Sequence, residues 1–170
     1  LIRVEDDGHG ILPDDLELAI TRHATSKIKD PDDLFNIQSM GFRGEALPSI
    51  ASVARIKIVS KTDGQDAALL EVDSGEMVSE GPAALGQGTV IEIRNLFHKV
   101  PARLKFLKKP ATEARRCKET FIRLALAHDD VEFVLSMAGR ENLRFAKDAP
   151  LARRLTEIWP QDLTDNMVLV

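Results

Sequence analysis

The sequence predicts an α+β fold of helices packed on antiparallel strands, and three observations carry that reading. Residues 55–61 alternate as a half-buried strand does, and residues 89–94 carry a strand pattern with Val90, Ile91 and Ile93 apolar. Asp73-Ser74-Gly75-Glu76 and Ala138-Gly139-Arg140-Glu141 each separate two short strand-like runs, as hairpin turns do. Residues 45–52 and 112–128 carry apolar side chains at helical spacing instead. At 170 residues and 44% hydrophobic, the chain can bury one sizeable core and at most the start of a second domain.

In chain order, residues 1–5 read as a strand and residues 14–22 as a helix behind a polar turn. The helix at 45–52 precedes strands at 55–61 and 67–72, and a short strand at 77–79 closes the first hairpin. Residues 80–88, which open with Glu80-Gly81-Pro82, read as loop, and Val90, Ile91 and Ile93 mark the next strand. Pro110 stands where a helix can begin, and Phe121, Leu124, Ala125 and Leu126 continue it to residue 128. Strands at 131–137 and 142–145 form the second hairpin. A last helix runs from Ala149-Pro150 to Trp159 and ends at Pro160.

Two glycine-rich stretches carry the candidate chemistry. In Met40-Gly41-Phe42-Arg43-Gly44-Glu45-Ala46-Leu47, two glycines lead straight into a helical pattern. Glycine lets backbone approach a ligand closely, and a helix start offers unpaired N–H groups and the positive end of a dipole, so phosphate fits there. No Gly-Lys-Ser/Thr follows, so this is not a Walker loop; a plain helix-entry turn is the alternative. At the end of the first strand stands Asp6-Asp7-Gly8-His9-Gly10-Ile11. A carboxylate there can accept from adenine's exocyclic amine, where guanine has a carbonyl, and the glycines leave room for a flat base. The alternative is a strand-to-helix turn that uses Asp and Gly for geometry alone. A calcium loop is set aside, because the alternate oxygen ligands and the distant bidentate glutamate are missing.

With those stretches in view, the chain resembles the MutL family of DNA mismatch-repair proteins, within the gyrase–chaperone–histidine-kinase–MutL (GHKL) ATPase superfamily. The resemblance rests on Asp6-Asp7-Gly8-His9-Gly10-Ile11, Arg22-His23-Ala24-Thr25-Ser26-Lys27-Ile28 and Gly41-Phe42-Arg43-Gly44-Glu45-Ala46-Leu47. Gly88-Thr89, Leu96-Phe97 and Pro101-Ala102-Arg103-Leu104-Lys105-Phe106-Leu107 complete it, covering about the first 110 residues strongly. It implies a GHKL (Bergerat-type) sandwich, a mixed or antiparallel sheet with helices on one face. Residues 1–146 would be the ATPase domain, and residues 147–170 a linker helix and the start of a second, transducer domain.

The resemblance also assigns roles. Asp6 would contact the adenine amine, with Gly8 and Gly10 shaping the base pocket. Thr89 would stand near the base, its hydroxyl bonding the Asp6 carboxylate or a bridging water. Gly41, Gly44 and the amides around Glu45, Ala46 and Leu47 would face the phosphates. Lys27 and Arg43 would each either reach the phosphates or serve the protein. Residues 24–40 resemble the family's nucleotide lid, and His23 reads as packed at a helix end rather than as an acid or base. The implied cofactors are ATP and, in the full-length parent, Mg2+. The superfamily's water-activating glutamate and magnesium-binding asparagine belong to a helix ahead of the first strand. This sequence contains neither, so it is expected to lack turnover of its own. Glu45, the acid in the matched loop, is expected to cap its helix.

Charge and cysteine usage bound the rest. The net charge of −4 argues against general polyanion binding, but residues 99–118 hold eight basic side chains, with Glu113 as the single acid. Arg103, Lys105, Lys108 and Lys109 are the DNA-binding candidates; a solvated basic face is the alternative. Cys117, the lone cysteine, fits a reducing compartment and reads as a packing residue. No apolar run approaches a membrane span and no signal peptide is legible; the location that the resemblance implies is the bacterial cytoplasm, near the nucleoid. The expected function is DNA mismatch repair, with nucleotide state coupled to an ATP-dependent homodimer. The implied partners are DNA, the mismatch-recognition protein MutS and other repair factors. A nucleotide-independent DNA-binding or protein-interaction module built on residues 99–118 is the competing class.

Overall fold

The computed structural model describes residues 1–21, 44–164 and 166. They form two compact units, residues 1–106 and residues 107–170. The first unit contains a five-stranded sheet of β1 (Ile2–Asp6), β2 (Arg55–Lys61), β3 (Ala68–Asp73), β4 (Glu76–Pro82) and β5 (Gly88–Arg94). Its order is β1-β5-β2-β3-β4, and every pairing is antiparallel. A 3-10 turn (Pro13–Asp15) leads into α1 (Leu16–Ala19); α2 (Ala46–Ala51) precedes β2, and α3 (Pro101–Leu104) follows β5.

Strand alternation places Ile56 and Ile58 of β2 with Leu70 and Val72 of β3 in one core, closed by Leu16 from α1 and Ala51 from α2. Ile91 and Ile93 of β5 pack against the same cluster. The helices therefore cover one face of the sheet, as expected.

Several element limits differ from the sequence reading, each for a local reason. α1 closes after four residues because Ile20 and Thr21 bond three residues back, to Glu17 and Leu18. The Thr21 hydroxyl also bonds the Glu17 carbonyl, an acceptor that a longer helix would use. β4 continues to Pro82, through a stretch that reads as loop, because β4 is an edge strand and an edge tolerates a proline without a ladder donor. α3 has no counterpart in the sequence reading; Pro101 opens it, where the missing N–H costs nothing.

The second unit holds α4 (Pro110–Ala127), the hairpin β6 (Phe133–Met137) and β7 (Arg140–Phe145), α5 (Leu151–Thr156) and α6 (Gln161–Thr164). Ala125, Leu143 and Phe145 form its core, with Phe121 set edge-on to Phe133 at 5.8 Å between ring centres. Pro160 separates the last two helices instead of simply ending one, and its carbonyl accepts from Leu163 and Thr164. Cys117 is exposed on the outer side of α4, not packed as expected, because the apolar stripe of that helix lies at Phe121, Ile122 and Ala125. No described helix is long and apolar enough to cross a membrane.

Candidate functional site

Strand register builds the site. Asp6, the last residue of β1, stands opposite Thr89 of β5, and Thr89 stands opposite Ser60 of β2. Directly opposed residues on antiparallel strands point to the same face, so the three side chains form one polar row across three strands. Ser60 shares parity with Ile56 and Ile58, and Thr89 with Ile91 and Ile93, so the row ends the helix-covered face.

The row changes character from sheet centre to sheet edge. Ser60 and Thr89 are buried, at 1% and 6% exposure, whereas Asp6 is exposed. The Ser60 hydroxyl lies 2.8 Å from the Ile11 N–H, which donates to it, 3.1 Å from the Gly88 carbonyl and 2.9 Å from the Thr89 hydroxyl. At the edge, Asp6 Oδ1 accepts the Gly8 N–H at 3.0 Å, the geometry of an Asx turn. Asp6 Oδ2 makes no hydrogen bond among the described residues.

Two glycines hold the strand ends together. Gly10 has φ +78°, and a Cβ there would strike the Lys61 carbonyl; Gly88 has φ +113°, and a Cβ would strike the Asp6 carbonyl. Both positions therefore need glycine for conformation and for space. A Cβ on Gly8 would lie 2.9 Å from Asp6 Oδ1, so this glycine keeps the carboxylate clear.

The sequence-predicted residues divide into three sets. Asp6, Gly8, Gly10 and Thr89 come together at one end of the sheet, but the Thr89 hydroxyl bonds Ser60 rather than Asp6. Gly44 lies in the left-handed region at φ +75°, just before Glu45 at the N-cap of α2 and Ala46 and Leu47 in its first turn. The Glu45 side chain makes no capping hydrogen bond to that helix, contrary to expectation. Lys27, Gly41 and Arg43, with the proposed lid and His23, lie outside the described residues.

Sequence reasoning missed Ser60. The signal was present: a hydroxyl at the third inward position of β2, after Ile56 and Ile58, where the alternation calls for an apolar side chain.

Arg103 and Lys105 are exposed in the first unit, Lys108 and Lys109 in the second, and none of the four forms an ion pair among the described residues. Their neighbours are partly neutralised. Lys99 pairs with Glu76 at 3.2 Å, Arg115 with Glu119 at 3.7 Å and Arg116 with Glu113 at 3.7 Å. Among the described residues, no cluster of three His, Cys, Asp or Glu side chains could hold a metal.

No family model matches the chain. It is 47% identical over 169 residues to the DNA mismatch repair protein MutL of Rhizorhabdus wittichii, a match covering 99% of this chain and 28% of that protein. Against MutL of Thiobacillus denitrificans the identity is 52% over 153 residues, or 89% of this chain and 26% of that protein. The chain thus spans about a quarter of the length of these curated relatives. Among solved structures, the Aquifex aeolicus MutL ATPase domain complexed with ADP superposes with a TM-score of 0.73 at 33% identity. That match covers 92% of this chain and 55% of that one. The four sequence blocks, the antiparallel sheet with its helix-covered face and these likenesses agree: the chain belongs to the MutL family of DNA mismatch-repair proteins and has the α+β fold of the GHKL ATPases.

Proposed function

We propose that the Asp6 end of the sheet binds the adenine ring of ATP, as part of a mismatch-repair ATPase that couples nucleotide state to dimerisation and partner recruitment. One observation carries the reading. Asp6 is exposed at a strand end, with one carboxylate oxygen tied to Gly8 and the other open to a donor. Adenine's amine is such a donor, and a charge-assisted bond to a fixed carboxylate is stronger than one between neutral groups. The lack of a Cβ at Gly8 keeps that carboxylate clear, and the ADP complex of the Aquifex aeolicus domain supports nucleotide as the ligand class.

In this reading Gly10 and Gly88 fix the strand ends that shape the base site, and Thr89 stands beside Asp6 on the same face. The phosphates would meet Gly44 and the backbone amides around Glu45, Ala46 and Leu47, with Gly41, Lys27 and Arg43 contributing from the stretch before them. Those backbone amides suit an anion, and the left-handed Gly44 suits a loop that turns closely about one. ATP supplies the phosphoanhydride bond whose cleavage would drive the cycle; Mg2+ is assigned to none of the described residues. Residues 1–146 would form the ATPase domain, with residues 147–170 leading into a transducer domain. DNA, the mismatch-recognition protein MutS, other repair factors and a second copy of the protein are the proposed partners, in the bacterial cytoplasm near the nucleoid. A second reading, direct DNA contact through Arg103, Lys105, Lys108 and Lys109, is favoured by their exposure without ion pairs among the described residues.

The test uses a full-length MutL protein carrying this segment. Asp6→Asn keeps the shape but removes the charge, and ATP binding should weaken by roughly 1.5–3 kcal/mol. Isothermal titration with ATP reads the loss, while the unfolding midpoint without nucleotide should barely move. Wild-type affinity in the Asp6→Asn protein would refute the assignment.

A further inference from the structure

The Ser60 hydroxyl is saturated, and its saturation has a consequence for Thr89. A hydroxyl owns one proton and two lone pairs. Ser60 has three partners: the Ile11 N–H at 2.8 Å, the Gly88 carbonyl at 3.1 Å and the Thr89 hydroxyl at 2.9 Å. The Ile11 N–H can only donate, so it takes one Ser60 lone pair. The Gly88 carbonyl can only accept, so it takes the Ser60 proton. What remains for Thr89 is the second lone pair, and the Thr89 hydroxyl must therefore donate to Ser60. Any other assignment leaves a buried carbonyl without the Ser60 proton or sets two protons against each other. Each is costly at a site with 1% and 6% exposure.

We infer that Ser60 is a specificity-determining positioning residue: by taking the Thr89 proton it turns Thr89 into an acceptor, so that Thr89 and Asp6 together present acceptors only. The inference rests on the base-site reading above and adds to it the reason for base choice. Asp6 and Thr89 lie side by side in register on one face, and Asp6 contributes a carboxylate with an open oxygen. A purine edge carrying an amine, or a water that donates to the row, is matched by such a pair. A carbonyl in the amine's place meets two acceptors and is repelled. Were the Thr89 hydroxyl free to rotate, it could donate to that carbonyl and soften the exclusion of guanine. Ser60 itself touches no base; it acts through the direction of one proton.

The experiment compares ATP and GTP affinities by titration in a full-length MutL protein carrying this segment, with the thermal midpoint as a check on folding. Ser60→Ala releases the Thr89 proton, and the preference for ATP over GTP should fall about three- to tenfold, the effect of one hydrogen bond. Ser60→Thr keeps the accepting oxygen and should keep the preference. In a Thr89→Val background, which has no hydroxyl to direct, Ser60→Ala should change the preference no further. Should Ser60→Ala fail to fold, Ser60→Cys replaces it, because its sulfur accepts only weakly and should lower the preference in the same direction. An unchanged ATP-to-GTP ratio in folded Ser60→Ala or Ser60→Cys, alongside weakened ATP binding by Asp6→Asn, overturns the role of Ser60 and leaves the base site standing. Additive effects of Ser60→Ala and Thr89→Val also overturn it. Unchanged ATP binding by Asp6→Asn overturns the base site itself and this inference with it.

Discussion

Each compact unit buries one polar hub, and the two hubs are built for opposite ends. In the sheet unit the hub is the neutral Ser60 hydroxyl, at the end of a row that opens outward through Thr89 to exposed Asp6. In the helix–hairpin unit it is the Arg154 guanidinium, 1% exposed. Arg154 donates to the carbonyls of Ala125 and His128 at the end of α4, Asp129 and Val131 in the following loop, and Ala146 after β7. No carboxylate partners it among the described residues. The negative end of the α4 dipole and five carbonyls hold the cation instead. The first hub leaves accepting capacity on Thr89 and Asp6, whereas the second directs both terminal nitrogens back into its own unit, Nε alone having no partner among the described residues. Spare hydrogen-bonding capacity at the open end of a network marks a binding row; a network closed on backbone marks a brace.

That contrast breaks first at Arg154. Arg154→Met keeps the volume of the side chain but strands the buried Ala125 carbonyl and four part-buried ones, and the second unit should lose about 3–5 kcal/mol. Urea unfolding followed by near-UV signals reads the loss. Arg154→Lys should recover only part of it, since a single ammonium cannot span all of the acceptors. A loss below about 1 kcal/mol would mean that water takes over the carbonyls and that the hub is no brace.

The glycines at the sheet end come next. Gly10→Ala and Gly88→Ala combine a left-handed backbone with collision against β-strand carbonyls, and each should cost roughly 2–4 kcal/mol. Gly64→Ala and Gly75→Ala share the left-handed backbone but meet nothing within 4 Å, so about 1 kcal/mol is expected there. Equal losses in both pairs would show that conformation alone, not the packing of strand ends, sets the requirement.

A smaller effect separates nucleotide from nucleic acid. Replacing Lys105, Lys108 and Lys109 by Gln should flatten the salt dependence of DNA retention by about one unit for each phosphate no longer neutralised, leaving ATP affinity unchanged. An unaltered slope would place DNA binding on other residues.

The smallest concerns the exposed end of the β6–β7 hairpin. Arg144 bonds Glu141 at 2.8 Å and Glu132 at 2.7 Å, and its hydrogen bond holds the Glu141 carboxyl below the usual carboxylate range. A carboxylate depressed in the folded state stabilises above its unfolded pKa and loses that contribution as pH falls through the folded value. Acidification below the ordinary glutamate range should therefore slightly weaken the hairpin, and Arg144→Gln should remove the dependence. Both side chains are half exposed, so salt should shrink the effect too. Hydrogen exchange at β6 and β7, followed from mildly acidic pH down through the glutamate range, tests it.

What could be read from sequence depended on how local its cause was. Alternation over residues 55–61 reproduces β2 to the residue, because the sheet buries every second side chain. Pro110 marks the start of α4 because proline suits the first helical turn. β4 runs past its predicted end because an edge strand obeys its partner β3, which no local signal near Pro82 reports. The site divides along the same line. Asp6, Gly8 and Gly10 announce themselves within one turn. The bond between Ser60 and Thr89 joins residues 29 apart and depends on register, which is visible only once β2 and β5 are paired. Arg154 is silent in the sequence for the same reason: an arginine in a short helix reads as surface until carbonyls from other elements surround it.

The base-site reading and the role inferred for Ser60 both turn on nucleotide sitting at the Asp6–Thr89 end of the row. Isotopically labelled protein titrated with ADP, with backbone amide resonances followed, probes that placement residue by residue. Binding at the row predicts saturable shifts centred on Gly8, Gly10, Ile11 and Thr89, absent in Asp6→Asn. Saturable binding that leaves those amides unmoved, with shifts confined to the second unit, would contradict it.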